Sequence, residues 1–289
     1  MPRGRSMSLS FPPFTPAVKQ LLIANGAVFL LFTLLGAFGA TSFFADWMYV
    51  HLGLEGYAVV HGEIWQLVTY AFLHAGLMHI LFNLLALWMF GAQLEMDWGY
   101  SLFMQFYFFC VIGAALVTVA VSFTGLLGVS PHTLTVGASG GIYGLLLAFG
   151  ILHGESEIML FPLPFLIKAK YFVMGIIALA LYGALASSHG GGQSIAYMAH
   201  LGGALFGYIW LKFVPRRGFG FLASERAFGL RNSYYRWKRK RAARKFEVYM
   251  RKHDRGDYRH DDYFDEHGNF RDPSTRDKKD GDSRGPWVN

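Results

Sequence analysis

The sequence predicts an all-α membrane protein, a bundle of six spanning helices with both termini in the cytoplasm. Hydrophobic residues make up 53% of the 289 positions, and the mean hydropathy of +0.31 is high for a soluble domain of this size. Charge is segregated along the chain, because 21 of the 26 Lys and Arg residues fall from Lys212 onward. The net charge of +7 therefore belongs to a tail that follows the apolar region.

Six apolar segments divide the chain into an N-terminal segment (1–17), a bundle (18–213) and a basic tail (214–289). In order, the segments are 18–38, 78–93, 102–121, 139–153, 171–186 and 195–213. An even number of spans places both termini on one side, and the positive residues at the termini and in the 154–170 loop assign that side to the cytoplasm. The outward loops 39–77, 122–138 and 187–194 then contain no Lys or Arg. Aromatic residues typical of a membrane interface lie near the span ends: Trp47, Trp65, Trp98 and Tyr100.

The fourth segment is too short to cross a bilayer alone. Its 15 residues from Ser139 to His153 reach about 22 Å as a helix, against a hydrocarbon core of about 30 Å. The missing length is expected at the outer, Ser139 end, where the preceding polar loop must dip into the protein. Irregular backbone is tolerated at that depth only inside protein or beside water. The sequence therefore predicts an aqueous recess, open to the outside, with Ser139 on its floor.

Four polar side chains on three helices are expected near this recess. Ser139 in "GASGGIYG" begins a helix, where free backbone N–H groups could stabilise an oxyanion, so it suits an acyl-transfer nucleophile. His79 and Asn83 in "HAGLMHILFN" are four residues apart and point the same way, so both can donate to one negative oxygen. His200 in "YMAHLGGALFG" lies at the outer part of the last span. Taken alone, the serine could be a helix cap and either histidine could be a structural residue. The shared depth of all four residues favours a catalytic site.

Matching glycines predict how His200 could reach Ser139. Gly140 and Gly144 form a small-residue stripe beside the serine, and Gly203 and Gly207 form another beside the histidine. Such stripes let helix backbones approach closely in lipid, although many serve packing alone. Close approach would let a neutral imidazole act as the general base that activates the hydroxyl.

These three motifs, in this order and on spans two, four and six, resemble those of the rhomboid family of intramembrane serine proteases. The resemblance covers approximately residues 65–210. It implies that Ser139 is the nucleophile and His200 the base, without an acidic third member. It also implies an oxyanion hole formed by His79, Asn83 and the Ser139 backbone N–H. The implied substrates are single-span membrane proteins, and no metal or other cofactor is expected.

The resemblance extends to supporting positions. Tyr143 matches a position whose ring packs against the catalytic imidazole, and His74 matches one that supports the oxyanion region. Phe82 matches a gate contact between spans two and five. Gln66 follows Trp65 where the family often has arginine, so an arginine-dependent arrangement of the first outer loop is not expected here.

The remaining segments suggest partners and location. The tail segment "RWKRKRAARKFEVYMRK" is expected to contact anionic lipids, and nucleic acid is not expected, because cytoplasmic flanks of membrane proteins are basic for topological reasons. From about Asp254 the chain is charged and poor in aliphatic residues, which predicts disorder. The loop "SSHGGGQS" at 187–194 is expected to act as a flexible lid. Together, the sequence features predict a multi-pass protein of a bacterial cytoplasmic (inner) membrane.

Two other functions are compatible with the sequence. One is a catalytically inactive rhomboid-like protein that binds membrane clients without cutting them. The other is a membrane metalloenzyme that uses His74, His79 and His200, although zinc proteases generally add a carboxylate that the outer recess does not offer at helical spacing.

Overall fold

The computed structural model describes residues 12–37, 42–125, 128–159, 166–186 and 192–214, and in the tail 232, 234–238 and 241. The chain divides into two units, Met1–Leu222 and Ala223–Asn289. The described part of the first unit is almost entirely helical. Its elements are α1 (Pro16–Ala37), α2 (Ser42–Leu52), α3 (Gly56–Val60), α4 (Gln66–Thr69), a 3₁₀ turn (Tyr70–Phe72), α5 (Leu77–Trp98), α6 (Tyr100–Ser122), α7 (Ser139–Leu152), β1 (Glu157–Met159), β2 (Leu166–Lys168), α8 (Ala169–Ala186) and α9 (Gly192–Phe213).

Each of the six predicted segments coincides with a helix. Among the described residues, four helices are long and apolar enough to cross a membrane: α1, α5, α6 and α8. Helix α7 is also apolar, but its 14 residues extend only about 21 Å. The chain is therefore an integral membrane protein. Most of the predicted lid, residues 187–191, lies outside the described residues, and α9 begins at Gly192.

Helix α7 lies at the centre of the bundle. It contacts α5, α6, α8 and α9, and most of its residues are buried. The small residues of α7 allow these helices to pack around it, because glycine lets a neighbouring backbone approach closely. Helix α1 is peripheral by comparison, and its buried residues cluster in its first turns. The central position of α7 places Ser139 inside protein rather than at a lipid-facing surface.

The first turn of α1 is held by a carboxylate from another helix. Glu95, near the end of α5, is only 4% exposed and accepts hydrogen bonds from the backbone N–H groups of Ala17 at 2.8 Å and Val18 at 2.9 Å. The Thr15 hydroxyl donates to the same carboxylate. These bonds satisfy N–H groups that a helix N-terminus leaves free, so Glu95 fixes α1 to α5 at this end.

The segment between α1 and α5, which the sequence analysis assigned to the first outer loop, is folded, and the sequence did not predict this. It contains the short helices α2, α3 and α4, built around the fully buried amide of Gln66. The Oε1 atom of Gln66 accepts from the Glu55 backbone N–H at 2.9 Å, and Nε2 donates to Glu63 at 2.8 Å. His51 Nδ1 lies 3.0 Å from the same Glu63 carboxylate. A neutral amide thus organises this loop at the position where the family often has arginine.

A small hairpin connects α7 to α8. Strands β1 and β2 pair antiparallel, with Ile158 opposite Ile167. The ammonium groups of Lys168 and Lys170 donate hydrogen bonds to Glu155 and lower the pKa of its carboxyl to about 2. The two lysines of the predicted cytoplasmic loop are therefore paired with one acid.

In the second unit, the described residues include an exposed aromatic group. The rings of Tyr234 and Trp237 stack with centroids 6.1 Å apart, and Tyr235 contacts Tyr234 edge-on. The Arg241 guanidinium lies over the Trp237 ring at 5.3 Å. The predicted disorder from about Asp254 concerns residues outside the described part of the chain.

Candidate active site

Backbone hydrogen bonds position Ser139 at the start of α7. The segment before it pairs with the first outer loop, since Leu54 and Thr135 exchange two N–H to O bonds of 2.9 Å. Two residues before the serine, the Gly137 N–H donates to the Tyr70 carbonyl at 2.9 Å. Gly137 has φ +125°, a conformation that favours glycine and turns the chain into the helix. Ser139 is therefore held by the loop and by the 3₁₀ turn.

The hydroxyl of Ser139 and the imidazole of His200 lie within hydrogen-bonding distance. Oγ of Ser139 is 2.8 Å from Nε2 of His200, so the hydroxyl can donate to a neutral imidazole. The Nδ1 atom of His200 is buried and has no hydrogen-bond partner among the described residues. The two side chains thus have the geometry of a serine–histidine dyad. No carboxylate of the described residues binds Nδ1 of His200.

The glycine stripes bring α7 and α9 together, as the sequence predicts. A Cβ atom placed on Gly203 would overlap the carbonyl of Gly140. One turn further along, a Cβ on Gly207 would lie 3.0 Å from the Cα of Gly144. Backbone therefore touches backbone, and the close approach of α7 and α9 allows the short Ser139–His200 distance.

Two aromatic rings contact His200. The Tyr143 ring stacks on the imidazole with centroids 4.2 Å apart and planes within 6° of parallel. The Tyr197 ring meets it edge-on, with centroids 6.0 Å apart and an angle of 85°. The stacking of Tyr143 has the geometry that the resemblance implies, whereas Tyr197, the first residue of the segment "YMAHLGGALFG", was assigned no role from the sequence.

His79 and Asn83 lie beside the loop that leads to Ser139. A Cβ on Gly137 would be 2.7 Å from His79 Nε2 and 3.8 Å from Asn83 Nδ2, so both side chains border the same glycine. The Ala75 N–H approaches His79 Nδ1 at 3.4 Å, which leaves Nε2 to carry the proton towards Gly137. Asn83 is 7% exposed, and its Nδ2 has no partner in the described structure. Two donors are therefore available beside Gly137, two residues before the serine.

The two other predicted positions, His74 and Phe82, differ in their surroundings. His74 is buried, and its ring meets His79 edge-on with centroids 5.1 Å apart. Phe82 lies in the first turns of α5 and is 65% exposed. Further along α5, Phe90 stacks on Phe172 of α8 at 5.8 Å. Helices α5 and α8 thus meet through these two aromatic side chains, further along α5 than the exposed Phe82.

Sequence reasoning missed two residues that shape the site. Gly137 was noticed only as part of a glycine-rich stretch, and the sign of its φ angle could not be read from the motif. Tyr70 is fully buried, and its hydroxyl donates to the Val111 carbonyl at 2.8 Å while its own carbonyl binds Gly137. Within the described residues, no group of three or more His, Cys, Asp or Glu side chains is arranged to hold a metal ion.

Comparison with known proteins places the chain in a family. The rhomboid domain model matches residues 61–217, which is more than half of the chain. The chain belongs to the rhomboid family. The match covers the part of the chain that holds Ser139, His200, His79 and Asn83.

Relatives in the family come from bacteria and from eukaryotic organelles. The chain is 31% identical over 197 residues to rhomboid-like protein 11, chloroplastic, of Arabidopsis thaliana, covering 65% of each chain. It is 31% identical over 145 residues to rhomboid protein 1, mitochondrial, of Saccharomyces cerevisiae, covering 50% of this chain and 40% of the relative. With rhomboid protease GluP of Bacillus subtilis it shares 36% over 92 residues, 32% of this chain and 16% of the relative. The chain spans less than two thirds of each of these relatives.

Proposed function

We propose that this rhomboid is a serine endopeptidase that cleaves single-span membrane proteins near the outer end of the transmembrane segment. The observation that carries the proposal is the 2.8 Å contact between Ser139 Oγ and His200 Nε2 inside an apolar bundle. Polar side chains are costly in membrane spans, so a paired hydroxyl and imidazole there favour a functional role. The relative in Bacillus subtilis is named a protease, which agrees with this reading.

In the proposed reaction, His200 accepts the Ser139 proton as Oγ attacks the scissile carbonyl. The negative oxygen of the tetrahedral intermediate then faces three donors: the Ser139 backbone N–H, His79 Nε2 and Asn83 Nδ2. His200 returns the proton to the leaving amine, and a water molecule activated by His200 hydrolyses the acyl-enzyme. Stacking on Tyr143 holds the imidazole in its plane while the proton moves. His74 would support His79 through the edge-on ring contact.

The proposal includes the topology expected from the charges. Helices α1, α5, α6, α7, α8 and α9 would be the six spans, with both termini in the cytoplasm and Ser139 near the outer face. Phe82 would border the opening between α5 and α8 through which a substrate span enters. The proposal includes a bacterial inner membrane as the location, with the orientation that the charge pattern favours. The basic tail with its aromatic group would contact anionic lipids.

The decisive experiment compares the purified protein with its Ser139→Ala and His200→Ala variants on a panel of single-span substrates. Each variant should lose nearly all cleavage while keeping its melting temperature, because removal of either half of the dyad costs nearly the whole chemical step. The parent protein should keep its activity in the presence of a chelator. Substantial turnover by either variant would contradict the dyad.

An inactive, client-binding rhomboid is the alternative outcome of the same experiment. It predicts that parent and Ser139→Ala proteins capture the same membrane proteins and cut none of them. The presence of Ser139 and His200 at hydrogen-bonding distance favours the protease.

A further inference from the structure

Tyr197 touches both the proposed base and a different helix. One side of its ring meets the His200 imidazole edge-on, with centroids 6.0 Å apart. At the same time, the phenolic end of the ring lies against Gly183 of α8. A Cβ on Gly183 would be 2.6 Å from Cε1 and 2.8 Å from Cε2 of Tyr197, distances that leave no room for a side chain. The residue thus forms a direct path of contact from α8 to His200.

Among the described residues, helix α8 packs against the bundle through only one of its faces. Its buried residues are small or medium in size: Ala169, Val173, Ala180 and Ala184. Neighbouring side chains on its other faces are open, with Leu179 67% and Tyr182 69% exposed. A helix held in this way has few interlocking side chains that resist its displacement. The contact of Tyr197 with Gly183 therefore matters for the position of α8 near the site.

We propose that Tyr197 is a positioning residue that couples the placement of α8 to the alignment of His200 with Ser139. The proposal rests on the protease function proposed above. While α8 is packed as in the structure, Tyr197 is backed by Gly183 and the imidazole is confined between Tyr143 and Tyr197. A substrate span that displaces α8 removes this backing, and the imidazole gains freedom to turn away from Oγ. Turnover would then depend on how a substrate fits beside α8, because a misplacement of about 1 Å can cost about a hundredfold in rate.

The contact can be tested with a matched pair of alanine substitutions in α8. Gly183→Ala introduces a methyl group against Tyr197, whereas Gly175→Ala adds the same group to the same helix where nothing lies within 4 Å. Gly183→Ala should lower kcat on a transmembrane substrate about tenfold with KM changed by less than about twofold. Gly175→Ala should resemble the parent protein. Equal effects of the two substitutions on kcat would overturn the proposal.

A double-mutant cycle with Tyr197 separates coupling from general damage. Tyr197→Leu should lower kcat about tenfold, and Tyr197→Phe, which keeps the ring, should restore most of the rate. In the Tyr197→Leu background, Gly183→Ala should cause little further loss, because the ring that it displaces is absent. Additive losses, or losses that follow melting temperature alone, would overturn the coupling.

Reaction with a small fluorophosphonate distinguishes this proposal from the one on which it rests. The reagent needs Ser139 and His200 but no transmembrane span, so its rate reports the alignment of the dyad. Gly183→Ala and Tyr197→Leu should slow labelling of Ser139, and Gly175→Ala should not. If the parent protein is not labelled, the protease proposal fails and the coupling with it. If the parent is labelled and all variants react at the same rate, the coupling alone is wrong.

Discussion

At the scale of the residue, Asn83 carries an amide nitrogen that is buried without a hydrogen-bond partner in the described structure. An unsatisfied buried donor costs about 1–3 kcal/mol, so its presence beside Gly137 suggests that a partner arrives during the reaction. An oxyanion on the scissile carbonyl would be such a partner.

Asn83→Ala should therefore lower turnover about a hundredfold, through loss of one oxyanion donor, and should not lower the melting temperature. Some activity should remain, since the Ser139 N–H and His79 would still donate. Asn25→Ala serves as the control, because Asn25 is a buried amide whose Nδ2 already donates to the Leu21 carbonyl at 2.8 Å. Steady-state kinetics and thermal melts of both variants decide the matter. A loss as complete as that of Ser139→Ala would make Asn83 structural.

Gly137→Ala should reduce turnover more than its effect on stability explains. The new Cβ would lie 2.7 Å from His79 Nε2, so the histidine must move away from the oxyanion position. The control is Gly62→Ala, which has a comparable φ of +112° but no atom within 4 Å of the added carbon. Both variants carry the backbone strain, of about 1–2 kcal/mol, and only the first should lose kcat. Comparable kcat values for the two variants would show that turnover does not depend on the present position of the His79 side chain.

The polar residues of the candidate site could be selected from the sequence more readily than the backbone that supports them. Ser139, His200, His79 and Asn83 could be singled out because polar groups in apolar spans are costly, and because topology gave all four the same depth. Tyr70 could not, since it acts on Gly137 through a backbone carbonyl that every residue type possesses. A positive φ angle such as that of Gly137 depends on the path of the folded chain.

At the scale of the element, the helices α1, α5, α6, α7, α8 and α9 followed from hydropathy, whereas α2, α3 and α4 did not. These short helices are fixed by contacts distant in sequence, such as the Thr69 hydroxyl to the Leu52 carbonyl at 2.7 Å and the Trp65 indole N–H to the His51 carbonyl at 2.9 Å. Isolated helices of this length are not stable on local propensity alone. Periodicity therefore carries little information about them.

The central place of Gln66 in this loop leads to a prediction about its charge. Gln66→Glu should destabilise the protein by about 1–3 kcal/mol at neutral pH, because it replaces the Nε2 donor with an oxygen that faces the Glu63 carboxylate. Turnover should fall as well, since the loop also pairs with Thr135 before the serine. Gln93→Glu, at an exposed hydrogen bond on α5, is the matched control. Equal melting temperatures for the two variants would show that the amide network does not hold the loop.

At the scale of the whole molecule, the length of α7 bears on where a substrate is cut. Its 14 residues reach about 21 Å of a hydrocarbon core of about 30 Å, so in the proposed topology Ser139 lies about 9 Å below the outer boundary. A substrate helix hides its carbonyls in its own hydrogen bonds, and breaking these bonds in hydrocarbon costs several kcal/mol each. The substrate must therefore unwind locally where water in the recess can take up the freed groups.

We expect cleavage in the outer third of a single-span substrate, after a small residue such as Ala, which would fit a cleft between close-packed glycine-rich helices. Gly or Pro downstream of the cut should promote cleavage because both weaken the helix that has to unwind, and replacing them with Leu should suppress it. The same Leu replacements in the inner half of the span are the control and should have little effect. Mass spectrometry of the product ends locates the bond. Cuts at the cytoplasmic end would show that the proposed orientation is wrong, and indifference to the outer Leu replacements would show that unwinding does not limit the reaction.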